Sequence, residues 1–239
     1  MSLFHTALKV RQLFDEDTWT YTYFVWDERT KEATIIDSVL EKKERDIQLV
    51  KELGLSLKYA METHVHADHI TASGHLRDAT GCRIVLHKNT GVSCADDLAI
   101  EGDTFHLGDH PIHILHTPGH TDNDITYQIQ GALFTGDTML VRDCGRTDFQ
   151  LGSTEKMYQS LNRLLTLPDE TLVLPAHDYK GFSVSTIGEE RQFNARVGMN
   201  KPYDEFKQIM DNLNLPAPRR IQVAVPANQR CGLIETTVQ

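Results

Sequence analysis

The stretch Thr63-His64-Val65-His66-Ala67-Asp68-His69 follows the apolar run Leu57-Lys58-Tyr59-Ala60-Met61 and decides how the rest of the chain is read. In an extended segment, residues two apart project the same way, so His64 and His66 can lean toward one point. Asp68 and His69 open a helix-like stretch and can reach that point from another side. Imidazole and carboxylate donors this close suit a transition metal such as Zn, Fe, Mn or Ni.

Working outward, Tyr21 to Trp26 and Ala33 to Asp37 are β-branched and aromatic runs across a polar turn, and read as paired strands. Glu41 to Leu53 has Ile47, Val50 and Leu53 at helical spacing, and Gly54 stops it. Lys58 to Met61 predicts a strand, His69 to Thr80 a helix ended by Gly81, and Arg83 to His87 a short strand. Farther on, Ile112 to Leu115, Ile125 to Ile129 and Ala132 to Phe134 read as strands. A helix from Ser153 to Leu165 follows, with Ser153 as N-cap. Thr171 to Leu174 is a further strand, and helices are expected near Thr186 to Ala195 and Tyr203 to Leu213, with Pro202 in the first turn of the latter. The tail from Pro216 to Gln239 has three prolines and no period. This order predicts an α+β fold, two β-rich halves with helices outside: a four-layer αββα sandwich. Residues 1–200 are expected to form the catalytic domain, with 201–239 a C-terminal helix and tail packing on it.

Three more donor clusters each follow a strand: His116-Thr117-Pro118-Gly119-His120, Thr135-Gly136-Asp137 and Pro175-Ala176-His177. Pro118-Gly119 forces a turn that can present His120. Donors at the ends of several strands converge on one edge of a sheet, where sites in such folds gather.

A chain of 239 residues, 40% hydrophobic and 24% charged, can bury a sizeable core. No apolar run approaches the roughly 20 residues needed to cross a bilayer, so no membrane partner is expected. The first 17 residues lack the features of a secretory or transit signal, which reads as cytoplasmic, although a mature organellar form would look the same. A formal charge of −10 argues against nucleic-acid binding. Four cysteines (Cys82, Cys94, Cys144, Cys231) show no Cys-x-x-Cys spacing and read as reduced thiols. Twelve histidines is a high count, and most fall between His64 and His120.

These motifs, in this order, resemble the metallo-β-lactamase superfamily. Its His-x-His-x-Asp-His motif is complete at His64 to His69, and its later ligands map onto His120, Asp137 and His177. The resemblance implies the αββα fold over about residues 8–200. Finer stretches look like the persulfide dioxygenase branch: Thr63 to Ala72, Phe134-Thr135-Gly136-Asp137, Cys144 to Gln150, Pro175 to Gly181, and Ala224 to Gly232. That branch implies one Fe(II) per chain on His64, His120 and Asp137, with His66, Asp68, His69 and His177 orienting the iron ligands and a bound water. It implies oxidation of glutathione persulfide by O2 and water to sulfite and glutathione. The retained donors leave open a dinuclear zinc thioester hydrolase of the glyoxalase II type.

Arg146, Tyr179 and Lys180 flank the motif residues and are candidates to bind the anionic thiol persulfide. Cys144 reads as a buried inert thiol. His5, His75, His87, His106, His110 and His113 have no motif partners and read as surface or core residues, His113 facing away from Ile112 and Ile114. His116 is a weaker candidate for orienting the site. The sequence leaves a homodimer open.

Overall fold

The computed structural model describes residues 7–233, so His5 lies outside the described residues. The chain divides into two compact units. The first takes in residues 7–99, 106–110 and 216–233; the second takes in 100–105 and 111–215.

The first unit carries a six-stranded sheet in chain order: β1 (Leu8–Asp15), β2 (Thr20–Asp27), β3 (Glu32–Ile36), β4 (Ser56–Met61), β5 (Arg83–His87) and β6 (Asp97–Ala99). β1 to β3 are antiparallel, whereas β3 to β6 run parallel through crossovers that include α1 (Lys43–Glu52) and α2 (Ser73–Thr80). Phe24, Ile35, Leu57, Ala60 and Leu76 lie in its core. The parallel register sets Ile36 beside Met61, and Asp37 N–H donates to the Met61 carbonyl at 3.0 Å. The carboxyl ends of β3 and β4 therefore release Asp37 and the Thr63 to His69 loop at one edge, where ligand sites of parallel sheets collect.

The second sheet has the order β7 (Thr104–Leu107), β8 (His110–His116), β9 (Ile125–Ile129), β10 (Ala132–Gly136), β11 (Leu172–Pro175) and β12 (Ser185–Thr186). β9 is antiparallel to both β8 and β10, and β10 is parallel to β11. The ends of β8, β10 and β11 thus point the same way, and Gly136 lies opposite Pro175. Directly beyond those ends come the His120 turn, Asp137 and His177. α3 (Thr154–Leu164), α4 (Ile187–Phe193) and α5 (Tyr203–Asp211) belong to this unit. Its core gathers Leu133, Met157, Leu161, Val173 and Phe206. Ser153 caps α3 by accepting from Lys156 N–H at 3.3 Å.

The structure departs from the sequence reading in four places. β1, β6, β7 and β12 were not expected; β1 is a half-exposed edge strand carrying Lys9 and Arg11, and the other three have two to four residues. α2 begins at Ser73 rather than His69 because backbone groups before it are already bonded elsewhere. Ile70 carbonyl accepts from Leu40 N–H at 2.7 Å, and Ala72 N–H donates to Ser38. The tail contains a helix, α6 (Ile221–Asn228), with Pro226 inside it. Finally, Cys94 and Cys231 are not reduced thiols: they form a disulfide with Cα atoms 6.0 Å apart across a separation of 137 residues. Spacing could not reveal it, because the returning tail alone brings Cys231 beside the loop carrying Cys94. Cys82 and Cys144 are free, as expected, and both are buried, as expected of Cys144.

Candidate metal centre

In the first unit, Asp37 organises the histidine loop. Its backbone is left-handed (φ +53°), a conformation Asp tolerates better than most residues. Its carboxylate accepts from Thr63 N–H at 2.7 Å and from the Thr63 hydroxyl at 2.9 Å. His64 Nδ1 lies 3.0 Å from that same hydroxyl. The Thr63 proton is committed to Asp37, so the oxygen accepts Nδ1–H from His64, a tautomer whose Nε2 is the basic nitrogen.

His66 is held differently. Its Nε2 lies 3.1 Å from Asp37 Oδ1 and 3.2 Å from Glu62 Oε2, all three side chains being buried. Burial alone would lower its pKa, but the two carboxylates override that and hold it well above the ordinary histidine value. Glu62 in turn accepts from the hydroxyls of Ser38, Thr71 and Ser73. His69 Nδ1 lies 3.0 Å from Asp68 Oδ2, while His69 Nε2 and His66 Nδ1 are buried without a hydrogen-bond partner. Two donor groups have ligand atoms within 4.8 Å of one another: His66 with Asp68 and His69, and Asp37 with Glu62 and His66.

In the second unit, the turn after β8 seats His120 on α3. Ser153 N–H donates to the Gly119 carbonyl at 2.8 Å, and the Ser160 hydroxyl to the Pro118 carbonyl at 2.7 Å. Asp124 closes the turn by accepting from Thr121 N–H at 2.6 Å and from its hydroxyl at 2.8 Å. Complete burial pushes the Asp124 carboxyl up to about 6, although the nearby His120 and the Thr121 bonds oppose the shift. His120 Nδ1 lies 2.8 Å from the Arg146 carbonyl. A carbonyl only accepts, so His120 also carries its proton on Nδ1 and presents Nε2. That Nε2 is 3.4 Å from Asp137 Oδ2, and His177 Nε2 is 3.6 Å from Asp137 Oδ1, a buried oxygen with no hydrogen-bond partner. Imidazole nitrogens and a carboxylate oxygen in these tautomers are donors that could hold a metal ion.

The candidate substrate residues sit less simply. The Arg146 guanidinium is paired with Asp148 at 2.6 and 2.8 Å and lies 4.6 Å over the Phe149 ring. Tyr179 is 63% exposed and stacks on His177, centroids 5.8 Å apart. Lys180 donates its backbone N–H to Asp178. His116 is tied to the Asp122 carbonyl at 3.1 Å, and His113 points outward to Thr104. Sequence reading missed Asp37, Glu62, Asp124 and Asn228 as organisers of the two loops. Of these, only Asp124 had a local signal, the turn-rich Thr121-Asp122-Asn123-Asp124 directly after the His120 motif.

Comparison with known proteins bears on the whole chain. The model of the metallo-beta-lactamase superfamily matches residues 20–177. Persulfide dioxygenase ETHE1, mitochondrial, is 47% identical in mouse and in human, each alignment covering 94% of this chain and 89% of the relative. The crystal structure of ETHE1 from Myxococcus xanthus is 52% identical and superposes with a TM-score of 0.91 over 94% of this chain and 99% of that one. A Staphylococcus aureus metallo-beta-lactamase shares the fold at 24% identity and a TM-score of 0.84, covering 95% of this chain and 73% of that one. The expected α+β fold is therefore borne out, and no helix among the described residues is long and apolar enough to cross a membrane. The chain belongs to the metallo-β-lactamase superfamily, in its persulfide dioxygenase branch.

Proposed function

We infer that the chain is a persulfide dioxygenase that converts glutathione persulfide, O2 and water into sulfite and glutathione, using one Fe(II) held by His64, His120 and Asp137. The observation that carries this reading is the near end-to-end identity with proteins of that name, 47% over 94% of the chain. The donor set fits the metal: His64 and His120 each turn Nδ1 to an oxygen, which makes Nε2 the basic nitrogen, and Asp137 keeps a buried carboxylate oxygen without a hydrogen bond. When bound, Fe(II) brings sulfur and O2 together and provides the electron that activates triplet O2.

The surrounding residues do the positioning. Asp37 fixes His64 through Thr63, the Arg146 carbonyl fixes His120, and Asp124 holds the turn beneath it. His177 steadies Asp137. His66, Asp68 and His69 orient the iron ligands and a bound water. Tyr179, Lys180 and Arg146 receive the anionic persulfide, Arg146 after exchanging Asp148 for substrate. The compartment we favour is cytoplasmic or the interior of an organelle, the mouse and human relatives being mitochondrial.

The test is oxygen consumption by anaerobically iron-loaded protein given fresh glutathione persulfide, with one sulfite formed per O2 consumed. His120→Ala is expected to lose both iron and oxygen uptake; full uptake by that variant would refute the ligand assignment. A second reading, the dinuclear zinc thioester hydrolase, draws on the unpartnered His66 Nδ1 and His69 Nε2. Two zincs per chain with thioester turnover and no O2 uptake would select it.

A further inference from the structure

The Cys94–Cys231 bridge secures the segment that holds the histidine loop. Asn228, at the last turn of α6, donates from Nδ2 to the His66 carbonyl at 2.9 Å and to the His69 carbonyl at 2.8 Å. Its Oδ1 accepts from Thr71 N–H at 2.8 Å. One buried amide from a distant part of the chain thus satisfies three backbone groups of a loop whose own residues pair elsewhere. Beyond it, the Cys231 carbonyl accepts from Gly74 N–H at 2.8 Å, and Gly74 has no room for a Cβ, which would meet that carbonyl at 2.7 Å. Gly232, left-handed at φ +76°, lies so close to the Thr71 carbonyl that a side chain there would collide with it. The gap left behind the loop is about 10 Å³, one water's worth, and is lined by Glu62, His64, His66, Asn228 and Cys231.

α6 is a weak helix by itself. It has eight residues, a proline inside it and no side-chain cap, too short to be stable alone. Ala224 and Ala227 pack on Ile70, and Cys231 packs on Ile84, Leu86 and Val92. The two sulfurs differ in access: Cys231 is fully buried, whereas Cys94 sits in a partly exposed loop.

We propose that Cys94–Cys231 is a thiol-exchangeable latch, a modification site whose redox state sets how firmly Asn228 holds the metal loop. The reactant is a low-molecular-weight thiol such as glutathione. Its thiolate attacks the accessible Cys94 sulfur, forming a mixed disulfide and expelling Cys231 as thiolate, which takes up a proton. A second thiolate attacks the small-molecule sulfur of the mixed disulfide and releases Cys94. In sum, two thiols are oxidised to one disulfide while the protein bridge is reduced to two thiols. Opening frees the tail beyond Asn228, the three amide contacts loosen, and the loop carrying His64 and His66 grips metal less tightly. The regulatory consequence rests on the dioxygenase reading; the latch itself does not.

The test equilibrates the iron-loaded protein, anaerobically, with glutathione and its disulfide at graded ratios. Alkylation and mass spectrometry read the state of Cys94 and Cys231, and the rate of iron transfer to a chelator reads the grip. Transfer is expected to quicken about tenfold or more on reduction, the scale on which supporting contacts change metal affinity. Cys94→Ser should transfer at the reduced rate in every buffer, and Asn228→Ala should do so while still bridged. Equal transfer rates from bridged and reduced wild-type protein would overturn the proposal, as would a pair that never oxidises; neither result depends on a variant folding. Redox-dependent transfer without oxygen uptake would uphold the latch and sink the dioxygenase reading, whereas oxygen uptake with redox-independent transfer would do the reverse.

Discussion

Gly145→Ala tests whether the backbone behind the second unit's ligands is as closely fitted as it looks. Gly145 N–H donates to the Asp137 carbonyl at 2.7 Å, so the Cys144 to Arg146 segment lies flat against the strand-end that presents Asp137. A Cβ at this position would strike the Asp137 carbonyl oxygen, and would also lie 3.0 Å from Asp137 Cβ and 3.1 Å from His120 Nδ1. The obstacle is backbone on one side and a hydrogen-bonded ring on the other, so neither swings away cheaply. Relief therefore moves Asp137, His120 or the Arg146 carbonyl that fixes the His120 tautomer. Overpacking of this kind costs about 1–3 kcal/mol, or roughly 2–12 °C in Tm for a chain of this length. The effect on chemistry is expected to be larger than the effect on stability, because displacing a reacting group by about 1 Å can cost on the order of 100-fold. Thermal unfolding of the metal-free protein, iron per chain after loading, and kcat for oxygen uptake separate the two. The expected variant folds with a modestly lower Tm, binds iron at least about tenfold more weakly, and loses about 10- to 100-fold in kcat. A variant with wild-type iron content and kcat would refute the claim that this contact sets ligand geometry.

Three further outcomes follow from named groups. Asp124→Asn keeps the shape of the turn but leaves one acceptor for the two Thr121 donors; iron affinity should fall about 10- to 100-fold, read by competition with a chelator, and unchanged affinity would show that the turn stands without the carboxylate. Asp46, buried in α1 with Oδ2 unpartnered, is pushed up to about 6 from 3.8 by burial, against its pairing with Arg45. The folded state then binds more protons than the unfolded one between those values, so this group's contribution to stability is greatest below about pH 4 and declines to a plateau above pH 6. Asp46→Asn should raise stability above pH 7 by up to about 3 kcal/mol, the gain vanishing below pH 4; urea titrations across that range would refute this with a pH-independent difference. Cys144 is fully buried beside Met210, and burial holds its thiol well above the ordinary value; iodoacetamide should leave it unmodified in the native protein, and rapid labelling would reverse that reading.

Much of the donor set was legible because metal binding imposes a short vocabulary. Only His, Cys, Asp and Glu bind well, and strand ends put them at recognisable places after apolar runs. His64 to His69, His120, Asp137 and His177 all follow strands that the sequence pattern finds, and the structure places the last three beyond the same edge of one sheet. The supporting groups were not legible, for two different reasons. Asp37 and Glu62 each end or follow a strand, like many carboxylates, and only the parallel register that sets Ile36 beside Met61 brings them to His66. That register is a tertiary fact with no local signature.

Asn228 and the disulfide were hidden more deeply. A helix that includes Val223-Ala224-Val225-Pro226-Ala227 has no polar face to set a period and carries a proline, so a 3.6-residue pattern cannot show in it. What makes it helical is the ground it lands on: Ala224 and Ala227 against Ile70, and Asn228 against the His66 carbonyl and the His69 carbonyl, the latter one that a helix starting at His69 would have claimed. The same contact explains why α2 starts at Ser73 and not at His69, the boundary the sequence favoured. The late start and the unread tail are thus one physical event, in which the loop's backbone is satisfied from outside so that its imidazoles need not follow helical geometry. A loop freed in this way can aim side chains at a metal, and a loop held in this way depends on whatever keeps its holder in place. This is why the state of a cysteine pair 137 residues apart matters to histidines that neither cysteine adjoins in sequence.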